Sequence, residues 1–333
     1  MKSRRLVFPE KGRCVVEEVE LAKDLGANEL LLRNRVSLIS AGTELALYAG
    51  THRAIDVPEN KWAKYPFRPG YAAVGEVLKT GSAVKGYKVG DLAVHGGSHA
   101  DYLIVGVDPW GAEVALPAGC DREALVFYKM LKISITAVRL APPVFGQNVV
   151  VIGMGVVGNL AAQLYKLAGA HKVAGADLSQ ARLDIAKKSG AIDLAFHVKD
   201  KPLKECVKEL GEFGAEIIVE AVGSSLAIDA ALKAVARKGR VVLLGSPRVK
   251  MEIDPYFDIH ATGVQVIGAH GAAVDEQIRT RDKMFLFELL SGGKVRVKDL
   301  ITQRMPFEKA QAAYEGLLKE TDKYVGVILT YPG

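Results

Sequence analysis

Residues 149–158 read Val-Val-Val-Ile-Gly-Met-Gly-Val-Val-Gly, and this stretch decides the fold class. The four β-branched residues predict a buried strand, and the amphipathic pattern over 156–168 predicts a helix directly after it. In this setting Gly153 permits a tight turn, Gly155 lets the backbone approach a pyrophosphate, and Gly158 lets helix and strand pack closely. Because the N-terminus of a helix presents free N–H groups and a positive dipole end, the stretch predicts a dinucleotide-binding turn.

The same alternation continues on both sides of this turn. Strands are predicted near 148–152, 172–176, 194–197, 216–220, 240–244 and 264–267, and helices near 156–168, 180–189, 203–210 and 226–236. Strands that alternate with helices predict an α/β fold with a doubly wound parallel sheet of the Rossmann type. Residues 29–105 differ, because short strands there are separated by glycine and proline turns. We therefore expect a β-rich first domain over 1–128, completed by 271–333, and a Rossmann domain over 129–270.

Composition excludes several classes of protein. The net charge of +6 over 333 residues is dispersed, with no basic run typical of a nucleic-acid arm. Cys14, Cys120 and Cys206 are odd in number and form no Cys-x-x-Cys pair, which argues against a disulfide framework and a cysteine zinc cluster. No apolar segment of signal-peptide length follows the basic N-terminus. We expect a cytoplasmic protein that acts on a small molecule, without a nucleic-acid or membrane partner.

Asp177 indicates which dinucleotide binds. It ends the second predicted strand, about 20 residues past the glycines, where a carboxylate can accept hydrogen bonds from the adenosine ribose and repel a 2′-phosphate. NAD is therefore predicted over NADP, although Arg182 is close enough in sequence to hold a phosphate or stack on adenine. The full predicted cofactor set is Gly153, Gly155, Val156, Val157, Gly158, Asp177, Leu178, Arg182, Val222, Gly245, Ser246, Pro247, Ala269 and His270.

Several motifs carry a family likeness. Gly70-Tyr-Ala-Ala-Val-Gly-Glu-Val77, Gly90-Asp91, the glycine turn and Ile328-Leu-Thr-Tyr331 resemble the zinc-type medium-chain alcohol dehydrogenases over nearly the whole chain. Ser40-Ala-Gly-Thr-Glu44 is similar to a branch that includes bacteriochlorophyllide dehydrogenase-like and sugar-oxidoreductase-like proteins. The resemblance implies a GroES-like catalytic domain, a Rossmann domain, hydride transfer, and a homodimer or homotetramer.

The chain departs from this family at the metal. The three positions that the resemblance assigns to catalytic zinc ligands carry Ala41, Tyr71 and Tyr128. Alanine has no ligand atom, and tyrosine is uncommon beside the usual thiolate, imidazole and carboxylate ligands. The four-cysteine structural zinc lobe is also missing, since residues 91–120 contain only Cys120. We therefore predict no zinc and no other metal.

Without zinc, another group must stabilise the developing alkoxide. The resemblance places Thr43, Tyr71 and Tyr128 around the vacated position, where each hydroxyl can hydrogen-bond a substrate oxygen. Tyr128 and Lys132 are four residues apart, so a helix would put them on one face, where an ammonium lowers the pKa of a tyrosine. The alternative is a packed tyrosine and a surface lysine.

Histidines are the remaining candidates for proton transfer. His99 precedes a predicted strand and could face the cleft, although a structural or exposed histidine is the commoner case. His95 is a weaker candidate, and His270 is expected to contact the cofactor.

The leading hypothesis is a zinc-independent, NAD-dependent enzyme that interconverts a secondary alcohol and a ketone on a polyol, cyclitol or sugar-like substrate. A zinc-free enone or quinone reductase is the first alternative, disfavoured because such enzymes more often use NADPH. A catalytically idle NAD-binding protein is the second.

Overall fold

The computed structural model describes residues 1–108, 111–116, 119–248 and 250–332. Contacts divide the chain into two compact units: unit 1 holds Met1–Lys129, Lys283–Lys294 and Ile301–Gly333, and unit 2 holds Met130–Asp282 and Val295–Leu300. The division after Asp282 lies twelve residues beyond the boundary predicted at 270. The assignment of catalytic and cofactor domains to these ranges stays a prediction.

The strands, in chain order, are β1 (Lys2–Val7), β2 (Val15–Glu20), β3 (Glu29–Leu38), β4 (Ala73–Thr80), β5 (Leu92–His95), β6 (Tyr102–Gly106), β7 (Ala112–Leu116), β8 (Val149–Ile152), β9 (Val173–Asp177), β10 (Leu194–His197), β11 (Ala215–Glu220), β12 (Val235–Leu243), β13 (Gln265–Gly268), β14 (Ile301–Pro306) and β15 (Gly326–Thr330). The α-helices are α1 (Thr43–Tyr48), α2 (Arg122–Leu125), α3 (Tyr128–Leu140), α4 (Val156–Leu167), α5 (Gln180–Lys188), α6 (Leu203–Cys206), α7 (Ser225–Ala234), α8 (Glu276–Ser291) and α9 (Ala310–Lys319).

Unit 2 is built on a six-stranded parallel sheet in the order β10-β9-β8-β11-β12-β13. Every residue of β8 and β9 is buried, as expected for parallel strands that helices cover on both faces. Two apolar clusters fill the two faces, one around Val151 and Tyr165 and the other around Ile218 and Leu232. The predicted doubly wound α/β architecture is confirmed, and the carboxyl ends of its parallel strands meet at one edge.

Unit 1 is β-rich. β14, β15, β3, β4, β5 and β7 form a sheet in that order, with β6 also paired to β3, and β1 and β2 form a separate antiparallel pair. The prediction began at residue 29 and therefore missed β1 and β2. It also missed the short helix α1, which lies inside the segment 29–105 where only strands were predicted. β2 reads Val-Val-Glu-Glu-Val-Glu, in which charged and apolar residues do not alternate. Its positions are half-buried and exposed in turn and none is buried, so the sequence signal for this strand is weak.

Among the described residues, no helix combines the length and the apolar character that crossing a bilayer requires. The cytoplasmic location stays a prediction.

Candidate functional site

The glycine turn joins β8 to α4 with the geometry that a tight turn needs. Gly153 has a left-handed φ of +91°, and its amide donates to Ala176 O at 2.8 Å. A Cβ on Gly158 would lie 1.8 Å from Gly153 O, so only glycine allows α4 to approach the turn this closely. By contrast, a Cβ on Gly155 would meet nothing nearer than Arg182 Nη1, at 4.0 Å. The turn is therefore tightly packed at Gly158, whereas the space beside Gly155 is open.

The N-terminus of α4 offers donors at this open side. Gly155 is the N-cap residue and has no side chain that could bond to the first amides of the helix. Val156 and Val157 form the first turn and are half-buried. Unpaired N–H groups together with the helix dipole create a site suited to a phosphate.

Asp177 connects the end of β9 to the glycine turn. Its Oδ2 accepts the amide of Met154 at 2.7 Å, and its Oδ1 accepts the amide of Ser179 at 2.9 Å. A carboxylate has about four acceptor positions, so two remain for ribose hydroxyls. The sequence predicted a contact from Asp177 to the cofactor but gave no sign that the carboxylate also supports the turn.

Arg182 and Leu178 follow Asp177. The amide of Arg182 donates to the N-cap hydroxyl of Ser179 at 3.3 Å, and its guanidinium lies beside Gly155. Leu178 is exposed, and its carbonyl is bonded to the ring of His197. A positive charge therefore lies next to the open side of the turn, where a phosphate group would be attracted.

Glu220, at the end of β11, organises the neighbouring turn and was not predicted. Its Oε1 accepts the amides of Val222 at 2.7 Å and Gly223 at 2.8 Å, and its carbonyl accepts the amide of Gly245 at 2.7 Å. The side chain is fully buried, and burial raises the pKa of its carboxyl. The only signal in the sequence was an acid at the end of the apolar run Ile-Ile-Val.

These contacts bring the predicted residues of the later strands toward the glycine turn. A Cβ on Gly153 would lie 2.6 Å from Val222 Cγ2, and a Cβ on Gly223 would lie 2.4 Å from Ser246 O. Pro247, like Ser246, is exposed just after β12. The residues predicted to bind the cofactor thus gather at the carboxyl edge of the parallel sheet, where such sheets bind ligands.

Ala269 and His270 follow β13. Ala269 is buried, with its amide bonded to Leu243 O at 2.9 Å and its carbonyl to the hydroxyl of Thr136 at 3.1 Å. His270 is exposed, and its Nδ1 accepts the amide of Ala272 at 3.2 Å, which caps a short 3₁₀ turn. Nδ1 is therefore occupied locally, and a cofactor contact would have to use Nε2.

In unit 1, the Ser40–Glu44 stretch gathers several predicted catalytic residues. The hydroxyl of Tyr71 donates to Ser40 Oγ at 2.5 Å, and the amide of Ser40 donates to Glu44 Oε1 at 3.1 Å. Thr43 is half-buried and opens α1 directly before Glu44. Ser40 and Glu44 are residues that the prediction of catalytic groups missed.

His99 belongs to the same cluster but does not face solvent. Its side chain is 1% exposed, with Nδ1 2.7 Å from Ser37 Oγ and Nε2 2.9 Å from Glu44 Oε2. Glu44 Oε2 also accepts the hydroxyl of Tyr314 at 2.6 Å. Both ring nitrogens of His99 are engaged in a buried network, and its catalytic role stays a prediction.

His95 is likewise buried, with Nε2 2.7 Å from Asn34 Oδ1 and Nδ1 accepting the amide of Gly97 at 3.1 Å. Burial, followed by the nearby charge of Lys129, lowers the pKa of His95 to about 3. The ring is neutral near pH 7, and its contacts suit a structural role.

Tyr128 and Lys132 lie one turn apart on α3, which begins at Tyr128. Tyr128 is 1% exposed and Lys132 is half-buried, so the tyrosine is packed and the lysine is neither enclosed nor fully at the surface. Their proposed catalytic roles stay predictions.

The positions that the family likeness assigns to zinc carry Ala41, Tyr71 and Tyr128. Ala41 is exposed and has no donor atom, and the hydroxyl of Tyr71 is bonded to Ser40. Burial raises the pKa of the Cys14 thiol to about 12. Throughout the described part of the chain, no three His, Cys, Asp or Glu side chains are grouped to hold a metal ion.

Comparison with known proteins agrees with this architecture. Residues 156–285 match the family model described as zinc-binding dehydrogenase. The L-threonine 3-dehydrogenase of Pyrococcus furiosus is 29% identical over 92% of this chain and 92% of its own length. The D-guloside 3-dehydrogenase of Escherichia coli (strain K12) is 27% identical over 86% of this chain and 88% of its own length.

The fold has a close match among solved structures. The galactitol-1-phosphate dehydrogenase of Escherichia coli superposes with a TM-score of 0.83 over 98% of this chain and 99% of that chain, at 20% identity. The chain is thus similar to zinc-binding dehydrogenases over residues 156–285 and to named dehydrogenases over most of its length, and it shares the fold of the galactitol-1-phosphate dehydrogenase.

Proposed function

We propose that this chain is a zinc-independent, NAD-dependent oxidoreductase that interconverts a secondary alcohol and a ketone on a polyol, cyclitol or sugar-like substrate. The observation that carries the proposal is the glycine turn, which Asp177 supports from β9 and which is open above Gly155. The relatives named for threonine and D-guloside oxidation support an alcohol substrate over an enone.

The cofactor would be held by residues of unit 2 alone. The amides at the start of α4 suit the pyrophosphate, and the free acceptor positions of Asp177 suit the adenosine ribose. The carboxylate of Asp177 favours NAD, while Arg182 beside Gly155 favours a phosphate, so the two charges oppose each other. We give Asp177 the greater weight because its carboxylate is fixed by two hydrogen bonds at the strand end.

Zinc independence is supported by the donor set at the three ligand positions. Ala41, Tyr71 and Tyr128 supply no thiolate, imidazole or carboxylate, which are the groups that zinc prefers. A bound nicotinamide would accept a hydride, and with it two electrons, from the carbinol carbon of the substrate. The hydroxyls of Thr43, Tyr71 and Tyr128 are our candidates for hydrogen-bonding the substrate oxygen, with Lys132 and His99 as further proton-transfer candidates.

Steady-state turnover tests this proposal. Purified protein should reduce NAD with members of a polyol, cyclitol and sugar panel, and metal analysis should find far less than one zinc per chain. Tyr71→Phe should lower kcat by roughly 10²- to 10⁴-fold, the usual contribution of an acid–base group, with NADH affinity retained. Tyr128→Phe and Lys132→Met test the proposed pair of Tyr128 and Lys132. Tyr256→Phe, at an exposed tyrosine, is the matched control.

Three results would contradict the proposal. Stoichiometric zinc that is required for activity would contradict the proposed zinc independence. Turnover of enones with NADPH, and of no alcohol with NAD, would favour a reductase. NADH binding without turnover of either class would indicate an idle cofactor-binding protein.

We also propose assembly as a homodimer or homotetramer. β13 ends the parallel sheet and leaves Gln265 and Val266 exposed along an edge, where a second strand can pair. Light scattering coupled to size exclusion should give at least twice the chain mass, and a monomer mass would refute this part.

A further inference from the structure

Three neighbouring strands of the parallel sheet, β9, β8 and β11, each lead into a helix, and the starts of these helices differ. Ser179 caps α5 by accepting the amide of Arg182 at 3.3 Å, and Ser224 caps α7 by accepting the amide of Ala227 at 3.2 Å. The middle helix, α4, begins after Gly155, which has no side chain to cap it. Of these three helices, α4 therefore presents the amides best suited to a phosphate.

Glu220 engages further donors in the connection between β11 and α7. Its Oε1 accepts the amides of Val222 at 2.7 Å and Gly223 at 2.8 Å, and its side chain is fully buried. Both N–H groups are thus directed at a buried oxygen instead of at a ligand. The amides that could compete with α4 for a phosphate are already satisfied by the protein itself.

The same two hydrogen bonds hold the side chain of Val222 beside the glycine turn. A Cβ on Gly153 would lie 2.6 Å from Val222 Cγ2, although Val222 is 54% exposed, so this side chain touches the turn and also faces solvent. On the other flank, a Cβ on Gly223 would lie 2.4 Å from Ser246 O, so the connection is packed closely on both sides. An exposed apolar side chain next to the phosphate donors suits an uncharged ring of a dinucleotide.

We propose that Glu220 is a positioning residue for the dinucleotide, an inference that rests on the proposed function. By engaging the amides of Val222 and Gly223, its carboxyl group leaves the start of α4 as the place for the phosphates. It also holds the Val222 side chain as a wall for an uncharged ring of the cofactor. Glu220 is buried and acts on the cofactor through this turn.

Two substitutions and two ligands test the inference. Glu220→Leu removes the acceptor at similar size, whereas Glu220→Gln keeps an oxygen for both amides. In Glu220→Leu the NADH affinity should fall at least about tenfold, because a valine-sized side chain buried by a ligand contributes roughly that factor. Inorganic pyrophosphate, which has no ring to contact Val222, should displace NADH with an affinity equal to or higher than in the wild type, because two amides are released. Glu220→Gln should bind both ligands as the wild type does.

Glu216→Leu is the matched control. Glu216 lies on the same strand at its opposite end, and it also accepts a backbone amide, that of Asn148 at 3.0 Å. This variant should leave the ratio of NADH affinity to pyrophosphate affinity unchanged. A role of Glu220 in stability alone would instead weaken both ligands together in Glu220→Leu.

Amide hydrogen exchange of the wild type, followed by NMR, keeps the inference testable if Glu220→Leu does not fold. The amides of Val222 and Gly223 should exchange slowly without ligand, because they donate to a buried oxygen. Pyrophosphate should slow the exchange of Val156 and Val157 and leave that of Val222 and Gly223 unchanged. Fast exchange at Val222 and Gly223, or their protection by pyrophosphate, would overturn the inference.

The outcomes separate this inference from the proposed function. Equal weakening of NADH and pyrophosphate in Glu220→Leu, unchanged NADH affinity in that variant, or an equal loss in Glu220→Gln would overturn the role of Glu220 while the proposed function stands. Absence of NADH binding to the wild type would overturn the proposed function and this inference together.

Discussion

Replacing Gly155 by alanine should separate cofactor binding from folding. A Cβ there would have no protein atom nearer than 4.0 Å, and the φ of −67° is one that alanine adopts without strain. Alanine caps a helix somewhat less well than glycine but lowers the entropy of the unfolded chain, and the two effects offset. The free energy of unfolding should therefore change by less than about 1 kcal/mol.

The same methyl group would occupy the space through which a pyrophosphate approaches the start of α4. Loss of one charge-assisted hydrogen bond costs about 1.5–3 kcal/mol, which predicts a 10- to 100-fold weaker NADH affinity. Fluorescence titration measures that affinity, and urea unfolding measures the stability. Gly119→Ala, which also faces open space, is the control and should change neither quantity.

Gly158→Ala should behave differently. Its Cβ would lie 1.8 Å from Gly153 O, so α4 must move away from the turn, and such overpacking costs about 1–3 kcal/mol or more. Stability and affinity should fall together in this variant. Unchanged NADH binding in Gly155→Ala would refute the assignment of the turn, and strong destabilisation by Gly155→Ala would refute the open geometry.

Three further predictions concern buried polar groups. Burial lowers the pKa of His95 to about 3, so the folded state holds the ring neutral and is stabilised above pH 6.5 relative to acid. Acidification to pH 4 should lower the free energy of unfolding, measured with urea, by about 3 kcal/mol. His95→Asn should weaken this dependence of stability on pH. Tyr314→Phe should lower the free energy of unfolding by about 1.5–3 kcal/mol, because the lost hydroxyl donates to the Glu44 carboxylate. Tyr48→Phe should lower it by only about 0.5–1.5 kcal/mol, because that hydroxyl donates to a neutral carbonyl. Equal losses in the two variants would contradict this. Burial raises the pKa of Glu220, so ionising this carboxyl disfavours the folded state. As pH rises above about 4.5, the wild type should lose stability relative to Glu220→Gln. A difference in unfolding free energy that does not change with pH would count against this prediction.

The parallel sheet was predictable because its signals are local. Runs such as Val149–Ile152 are buried on both faces and therefore consist of apolar residues, and Gly158 is required by its contact with Gly153 O, five residues away. The predicted helix at 203–210 is in fact α6 followed by a 3₁₀ turn over Val207–Leu210, a distinction that periodicity does not resolve.

The buried polar network of unit 1 could not be predicted. Glu44 is 55 residues from His99 and 270 from Tyr314 along the chain, so no local pattern relates them. The sequence shows that these three residues are polar but not that they are buried. It does not distinguish an exposed imidazole from a buried one. The glycine turn was predictable from a short stretch of sequence, whereas the burial of His99 was not, because its partners are distant in the chain.

The discontinuous course of unit 1 has a consequence for biosynthesis. β15 pairs with β3 and β14, so the large sheet lacks two of its strands until residues 301–330 have left the ribosome. Most of unit 2 is one continuous segment, Met130–Asp282, which can assemble as it emerges. Until then the end of β3 that pairs with β15, Val36 to Leu38, is open to pairing with other strands, a state that favours aggregation of unfinished chains.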